Sequence, residues 1–275
     1  MKRILFATDF SENAENAFRY ALALFENDHC IYTLLHVIPY IFPSDDLYDY
    51  GNSINSKEAE SSFKIMLDKF KKDISSKNIT IESRIEIGDV DELLADFADK
   101  NKMDLIVMGT KGASGLREIF IGSTTLSVVK STHCPVLVIP EKSTYRSPKK
   151  IVFAVDFRRK IEEASIQPLI HIAKKYNSEI LLLQVKGEEE ETLDEAVSGL
   201  RLNNNLEGIP HSYHIIHDND IPHGIERFVH ENKSEFIILI SKHHDLFERL
   251  FQESVTEKLV LHSTLPLLVL EDYRE

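Results

Sequence analysis

Residues 103–130 read MDLIVMGTKGASGLREIFIGSTTLSVVK. The first six, Met103 to Met108, form a short apolar run of the kind that makes a parallel strand buried on both faces. Glycine then dominates: Gly109, Gly112, Gly115 and Gly122 are four of the ten in the chain. With no Cβ, glycine lets backbone amides crowd together and approach a ligand closely. Ser123 to Lys130 has helical character, with Ser123 as a natural N-cap. A strand, a glycine-rich loop and a helix start in that order make a place for a phosphate. Free amides and the positive end of the helix dipole point at it, beside the hydroxyls of Ser123, Thr124 and Thr125 and the cations Lys111 and Arg117.

Working outward, the rest of the first half alternates strand and helix. Lys2 to Ser11 reads as a buried strand ending in a polar turn, with Ser11 capping a helix that runs to about Phe25. Cys30 to Ile38 is a second strand. Residues 39–56 mix turn formers with Tyr40, Phe42, Tyr48 and Tyr50 and are expected to be irregular, as a lid, a plug or a partner surface. Asp45, Asp46 and Asp49 lack the glycine and closing glutamate of a calcium loop. Lys57 to Ser75 keeps an apolar face through Phe63, Met66, Leu67 and Phe70 and is predicted helical. Ile79 to Ile87 alternates as an edge strand does, residues 88–102 give a helix with acids at its start, and residues 133–140 give a fifth strand bounded by prolines. Such alternation demands parallel crossovers and hence a doubly wound α/β sheet. Ligands collect at the carboxyl ends of such strands, which makes Asp9 a candidate functional residue.

The pattern then repeats. Residues 150–157 restate 3–10, and 265–270 restate 134–139, after a polar, proline-containing segment at 141–149 that reads as a linker. Ile180 to Val185 echoes the second strand and Phe236 to Ile240 the fourth, with helices expected over 161–176 and 221–232. The acidic run Glu188 to Glu191 is expected to open a helix facing water. The second copy departs from the first at the glycine loop. Sequence alignment sets Glu253 against Gly122, and Ser241 and His244 against Gly109 and Gly112. A carboxylate there repels phosphate, and side chains block close backbone approach.

The spacing Gly109-x2-Gly112-x9-Gly122-Ser123, placed after the fourth strand of a duplicated α/β pattern, resembles the universal stress protein family over essentially the whole chain. The resemblance implies two tandem doubly wound domains, 1–142 and 148–275, each a five-stranded parallel sheet of order 3-2-1-4-5 with helices on both faces. Family members with this glycine pattern bind ATP. Carried over residue by residue, the ATP contacts are Ala7, Thr8 and Asp9, the backbone of Val37 for adenine, Met108, Gly109, Lys111, Gly112, Gly122, Ser123, Thr124 and Thr125, with Mg²⁺ as the nucleotide's companion cation. The same resemblance implies pairing of the two halves within the chain, a homodimer and a regulatory protein partner.

Composition narrows the alternatives. The net charge of −13 repels nucleic acid and anionic lipid. No run approaches a membrane span and no signal pattern precedes the first strand, so a cytoplasmic, soluble protein is expected. Cys30 and Cys134, the only cysteines, are expected to be free and buried. No Gly-x4-Gly-Lys-Ser/Thr occurs, and no Gly-x-Gly-x2-Gly follows the first strand. Nor does the Ser-Gly-Gly-x-Asp-Ser loop of ATP pyrophosphatases. Of the twelve histidines nine follow residue 145. His211, His214 and His217 are expected on one side of their segment and His243-His244 in the degenerate loop, but no ligand partner recurs at a metal-binding spacing and no metal is expected. His36 is expected to make a structural hydrogen bond. No catalytic residue is assigned, since efficient hydrolysis needs a positioned water, a base and a charge stabiliser. The alternatives are a slow ATPase or autophosphorylating protein, and a scaffold that uses no nucleotide.

Overall fold

In the computed structural model the described residues are 2–39, 48–75, 79–110, 123–157, 161–187, 193–241 and 255–271. They form two compact units, Met1–Tyr145 and Arg146–Glu275. The first contains β1 (Lys2–Ala7), α1 (Glu12–Leu24), β2 (Cys30–Ile38), α2 (Tyr48–Ser75), β3 (Ile79–Ile87), α3 (Val90–Lys100), β4 (Leu105–Gly109), α4 (Ser123–Ser131) and β5 (Val136–Ile139). All its strand pairs are parallel, in the order β3-β2-β1-β4-β5. The second unit has β6 (Lys150–Ala154), α5 (Gln167–Tyr176), β7 (Glu179–Lys186), α6 (Leu193–Asn205), β8 (His211–His217), α7 (Ile221–Asn232), β9 (Phe236–Ser241), α8 (Val255–His262) and β10 (Leu267–Glu271). Its strands run β8-β7-β6-β9-β10, again parallel. Both are the doubly wound order that the sequence implies, with the switch point between the unit's first and fourth strands.

Apolar continuity explains the inner strands. Ile4, Leu5 and Phe6 have no exposed surface, and neither do Ile151, Val152 and Phe153, because helices cover both faces of a parallel sheet. The edge strand β3 instead alternates and exposes Glu82, Arg84 and Glu86. Helix α1 starts where Ser11 Oγ accepts the amide of Ala14 at 3.2 Å. Its small residues Ala14, Ala17 and Ala21 are buried, which lets the helix lie close on the sheet. Phe18 on that face meets the rings of Phe6 and Phe70 at 5.1 Å and of Tyr32 at 5.8 Å, so it joins α1, β1, β2 and α2.

The segment after β5 is less free than its composition suggests. Asn16 Nδ2 donates to the Ser143 carbonyl at 2.8 Å, and the Tyr145 ring sits 5.3 Å from that of Tyr20. The linker therefore lies along α1 as far as residue 145.

Four local expectations need correction. Helix α2 begins at Tyr48, inside the stretch expected to be irregular. Its turn formers Gly51, Asn52 and Ser53 each disfavour helix by about 1 kcal/mol or less, which a helix already nucleated by the 57–75 segment overrides. Residues 40–47, including Tyr40, Phe42, Asp45 and Asp46, lie outside the described residues. Residues 161–176 are not one helix: a 3₁₀ turn at Ala164–Ile166 precedes α5, which opens at Gln167 with Pro168 in its first turn, where a missing N–H does no harm. Ser123 is the first residue of α4 rather than the cap before it. Finally, His214 does not share a side with His211 and His217. The segment is a regular strand, so its side chains alternate with period two and His214 faces the opposite way. The acidic run 188–191 lies outside the described residues, and α6 begins just after it.

The position of Phe18 predicts that Phe18→Ala lowers the unfolding free energy of the first unit by about 3–5 kcal/mol. Denaturant unfolding read by near-ultraviolet circular dichroism checks this. A loss below about 1 kcal/mol contradicts the packing described.

Candidate functional site

At the carboxyl end of β1 the backbone is organised by its own side chains. The Thr8 amide extends the ladder by donating to the Leu35 carbonyl at 3.0 Å. Thr8 Oγ1 then accepts the Phe10 amide at 3.0 Å and donates to Met66 Sδ at 3.9 Å. Asp9 Oδ1 accepts the Ser11 amide at 3.1 Å, a side-chain turn that leads straight into the Ser11 cap. Between them Phe10 has φ of 61°, the left-handed region that a bulky residue rarely enters. Its ring is held 4.6 Å from His36 and 4.8 Å from Phe63. His36 Nδ1 is 2.8 Å from the Thr8 carbonyl oxygen, so this nitrogen carries the proton and donates. Four residues from two elements, Leu35 and His36 of β2 and Phe63 and Met66 of α2, thus fix the turn that carries Asp9.

The end of β4 meets this turn through Gly109. A Cβ added there would lie 2.6 Å from Asn13 Nδ2, 2.9 Å from Asn13 Cγ and 3.3 Å from the Asn13 carbonyl. A side chain at this position would have to displace the side-chain amide of Asn13 in the first turn of α1. The Gly109 carbonyl in turn accepts Thr125 Oγ1 at 2.8 Å, which ties the start of α4 to the same point. Thr125 and Thr8 are buried, as are Val37 and Met108, while Thr124 is exposed. Ala7, Thr8, Asp9, Gly109 and Thr125 are therefore brought to one locus at the switch point, with Val37 at the end of the adjacent β2. Lys111, Gly112 and Gly122 lie outside the described residues, and Ser123 is placed by its backbone alone.

A further acidic pair stands where α3 begins. The Asp91 carboxyl is raised above the ordinary range, chiefly by its hydrogen bond with Asp89 and then by burial, while Asp89 is lowered by the same bond.

The second unit keeps the frame and changes the fittings. The Val155 amide donates to the Leu183 carbonyl at 2.9 Å, as Thr8 does to Leu35, and Asp156 stands in the place of Asp9. Strand register locates the counterpart of Gly109. Ile4 pairs with Leu105 and the equivalent Ile151 with Phe236; Gly109 pairs with Ile139 and Ile240 with the equivalent Leu270. Ile240 therefore occupies the glycine position, and Ser241 corresponds to Thr110. This corrects the sequence alignment, which lacked the strand partners that fix register. A β-branched side chain stands where the first unit tolerates no Cβ.

The family model described as Universal stress protein family matches residues 1–140 and again 148–271. The chain belongs to the universal stress protein family. Universal stress protein MJ0531 of Methanocaldococcus jannaschii is 31% identical over 153 residues, 54% of this chain and 84% of that one. MJ0577 of the same organism is 30% identical over 158 residues, 52% of this chain and 97% of its own length. A solved universal stress protein from Archaeoglobus fulgidus DSM 4304 covers 98% of both chains with a TM-score of 0.79 at 22% identity, a likeness of fold.

In this universal stress protein His211, His214 and His217 each have a partner of their own, while His243 and His244 lie outside the described residues. His211 has Nδ1 2.7 Å from the Ile209 carbonyl and Nε2 3.0 Å from Asn203 Oδ1, His214 Nε2 is 2.8 Å from Ser212 Oγ, and His217 Nδ1 is 2.8 Å from the Gly187 carbonyl. Among the described residues no group of three or more His, Cys, Asp or Glu is arranged to hold a metal. Cys30 and Cys134 are free and buried, and no described helix is long and apolar enough to cross a membrane.

Sequence reasoning passed over Asn13 and Asp218. Asn13 breaks the alanine stripe on the inner face of α1, and that break was the available signal. Asp218 gathers a set of donors: the Asp220 amide at 3.0 Å, His223 Nδ1 at 3.0 Å and Arg227 Nη1 at 3.3 Å. Its carboxyl is held below the ordinary range, first by the Asp220 amide and next by His223. A carboxylate depressed in the folded state contributes stability above about pH 4 that is lost as pH falls through its folded value. Asp218→Asn is accordingly predicted to lower the denaturant midpoint of the second unit at pH 7 and to flatten its decline between pH 4 and pH 2. Parallel decline in both proteins contradicts the assignment.

Proposed function

We propose that the first unit of this universal stress protein binds ATP at the carboxyl ends of β1 and β4, that the second unit binds none, and that the chain serves a stress or regulatory response as a nucleotide-responsive sensor or scaffold. The observation that carries this reading is Gly109, which lies against Asn13 with no room for a Cβ and whose equivalent is Ile240. The glycine spacing that accompanies ATP binding in the family supports it. In this reading the Ala7-Thr8-Asp9 turn and the Val37 backbone receive the nucleoside, with Met108 and Gly109 beside them. Gly112, Gly122, Ser123, Thr124, Thr125 and Lys111 receive the phosphates, for which amides and hydroxyls at a helix start are suited. Asp9 is the one carboxylate of the set, an anionic oxygen donor of the kind that Mg²⁺ takes. It is assigned no role as a general base, since Oδ1 already accepts the Ser11 amide.

The test is mass spectrometric identification of nucleotide released from freshly purified protein, with calorimetric titration of Mg²⁺-ATP. About one ATP per chain is expected in the wild type. Gly122→Glu, which copies the second unit, and Gly109→Ile are each expected to weaken binding by at least about a hundredfold, since both put a side chain where phosphate or backbone must come close. Two nucleotides per chain, or none with no calorimetric signal, overturn the reading, and the second result leaves the scaffold alternative in its place.

A further inference from the structure

Strand β8 is unlike its counterpart β3. In the described structure it pairs with β7 on one side and with no strand on the other. Its seven residues, His211-Ser212-Tyr213-His214-Ile215-Ile216-His217, include no Asp, Glu, Lys or Arg in a chain of net charge −13. Tyr213 and Ile215 are each 43% exposed, and Leu200, next to the Gly199 whose carbonyl takes the Tyr213 hydroxyl, is 68% exposed. Proteins ordinarily protect an edge strand with charge.

The backbone fixes what such an edge can accept. The Ile180 amide donates to the Pro210 carbonyl and the Asp218 amide to the Lys186 carbonyl, both at 2.9 Å. Alternate residues of a parallel strand bond to the same neighbour, so residues 212, 214 and 216 face β7. His211, Tyr213, Ile215 and His217 turn their N–H and C=O groups outward. About His214 the strand carries His211 and His217 at equal distances, with Tyr213 and Ile215 inside them. An antiparallel partner strand of identical sequence, related by a twofold axis at His214, sets His211 against His217 and Tyr213 against Ile215. These are the outward-facing residues, so the axis satisfies the edge with about eight backbone hydrogen bonds. It also sets an aromatic against a β-branched residue, a favourable cross-strand pair.

The first unit shows what forbids this. Strand registers place Arg84 of β3 where β8 has His214, and Glu82 and Glu86 where it has Ser212 and Ile216. The same axis in β3 opposes Arg84 to Arg84 and Glu82 to Glu86, like charges at every such position. In β8 all three charges are gone. We propose that β8 is a self-recognition edge, at which a second copy of this chain adds antiparallel about His214. The proposal does not depend on the nucleotide reading.

Sedimentation velocity of the full chain across a concentration series, without nucleotide, is the first test. A reversible dimer is expected. Ile215→Lys, which puts a lysine on the exposed edge, is expected to raise the dimer dissociation constant at least about tenfold. Ile65→Lys, at a position 61% exposed in α2, is expected to leave it unchanged. The second test reads register and survives a folding defect in the lysine variant. The axis puts residue 214 opposite itself in a non-hydrogen-bonded pair, with Cα atoms about 4.5 Å apart, within disulfide reach. Under mild oxidation His214→Cys is expected to cross-link two chains while Ser212→Cys does not, the native cysteines being buried. A monomer up to about 0.5 mM, a dimer indifferent to Ile215→Lys, or cross-linking at 212 in preference to 214 overturns the proposal.

Discussion

The contact between Gly109 and Asn13 is the constraint around which the candidate site is built. There a strand end and a helix start lie so close that a Cβ would displace the Asn13 side-chain amide, and the Gly109 carbonyl then takes Thr125 at the head of the next helix. Three elements far apart in sequence converge on one backbone position. The other side of the locus is held by side chains in series, with His36 donating to the Thr8 carbonyl and Phe10 kept left-handed between His36 and Phe63. Conformational strain of this sort persists only where the surroundings determine it from several directions.

Duplication makes the chain its own comparison. Both units have the same strand order, the same ladder extension after the first strand and an aspartate in the following turn, so the fold is insensitive to what stands at the fourth strand's end. Ile240 in place of Gly109 leaves the sheet intact. Edge strands diverge in the same way. The charges that Glu82, Arg84 and Glu86 give β3 are absent from β8, although both strands pair with their inner neighbours in the same manner.

Much of this was legible in sequence because the signals were local and strong. Continuous apolar strands, the Ser11 cap and the repeat of residues 3–10 at 150–157 led to the alternation of strand and helix and to its duplication, while the strand order came from the family resemblance. Where reading failed, the deciding fact was a partner distant in sequence or a period not yet fixed. Helix α2 runs through Gly51 because a strong helix follows it. His214 looks like a companion of His211 and His217 until the segment is known to be a strand. Ile240 is recognised as the match of Gly109 only when each strand is paired with its neighbours. Asn13 carries no motif, and its meaning comes from the glycine it touches.

The central claim, that one of two similar units has been kept open for a nucleotide and the other filled, is tested most directly by amide chemical-shift mapping of isotopically labelled full-length protein during a titration with Mg²⁺-ATP. The account predicts saturable shifts at Asp9, Asn13, Gly109, Thr110 and Thr125, with Asp156, Ile240 and Ser241 unmoved. Shifts of similar size around Ile240, or saturable binding that leaves Gly109 and its neighbours unmoved, would contradict it.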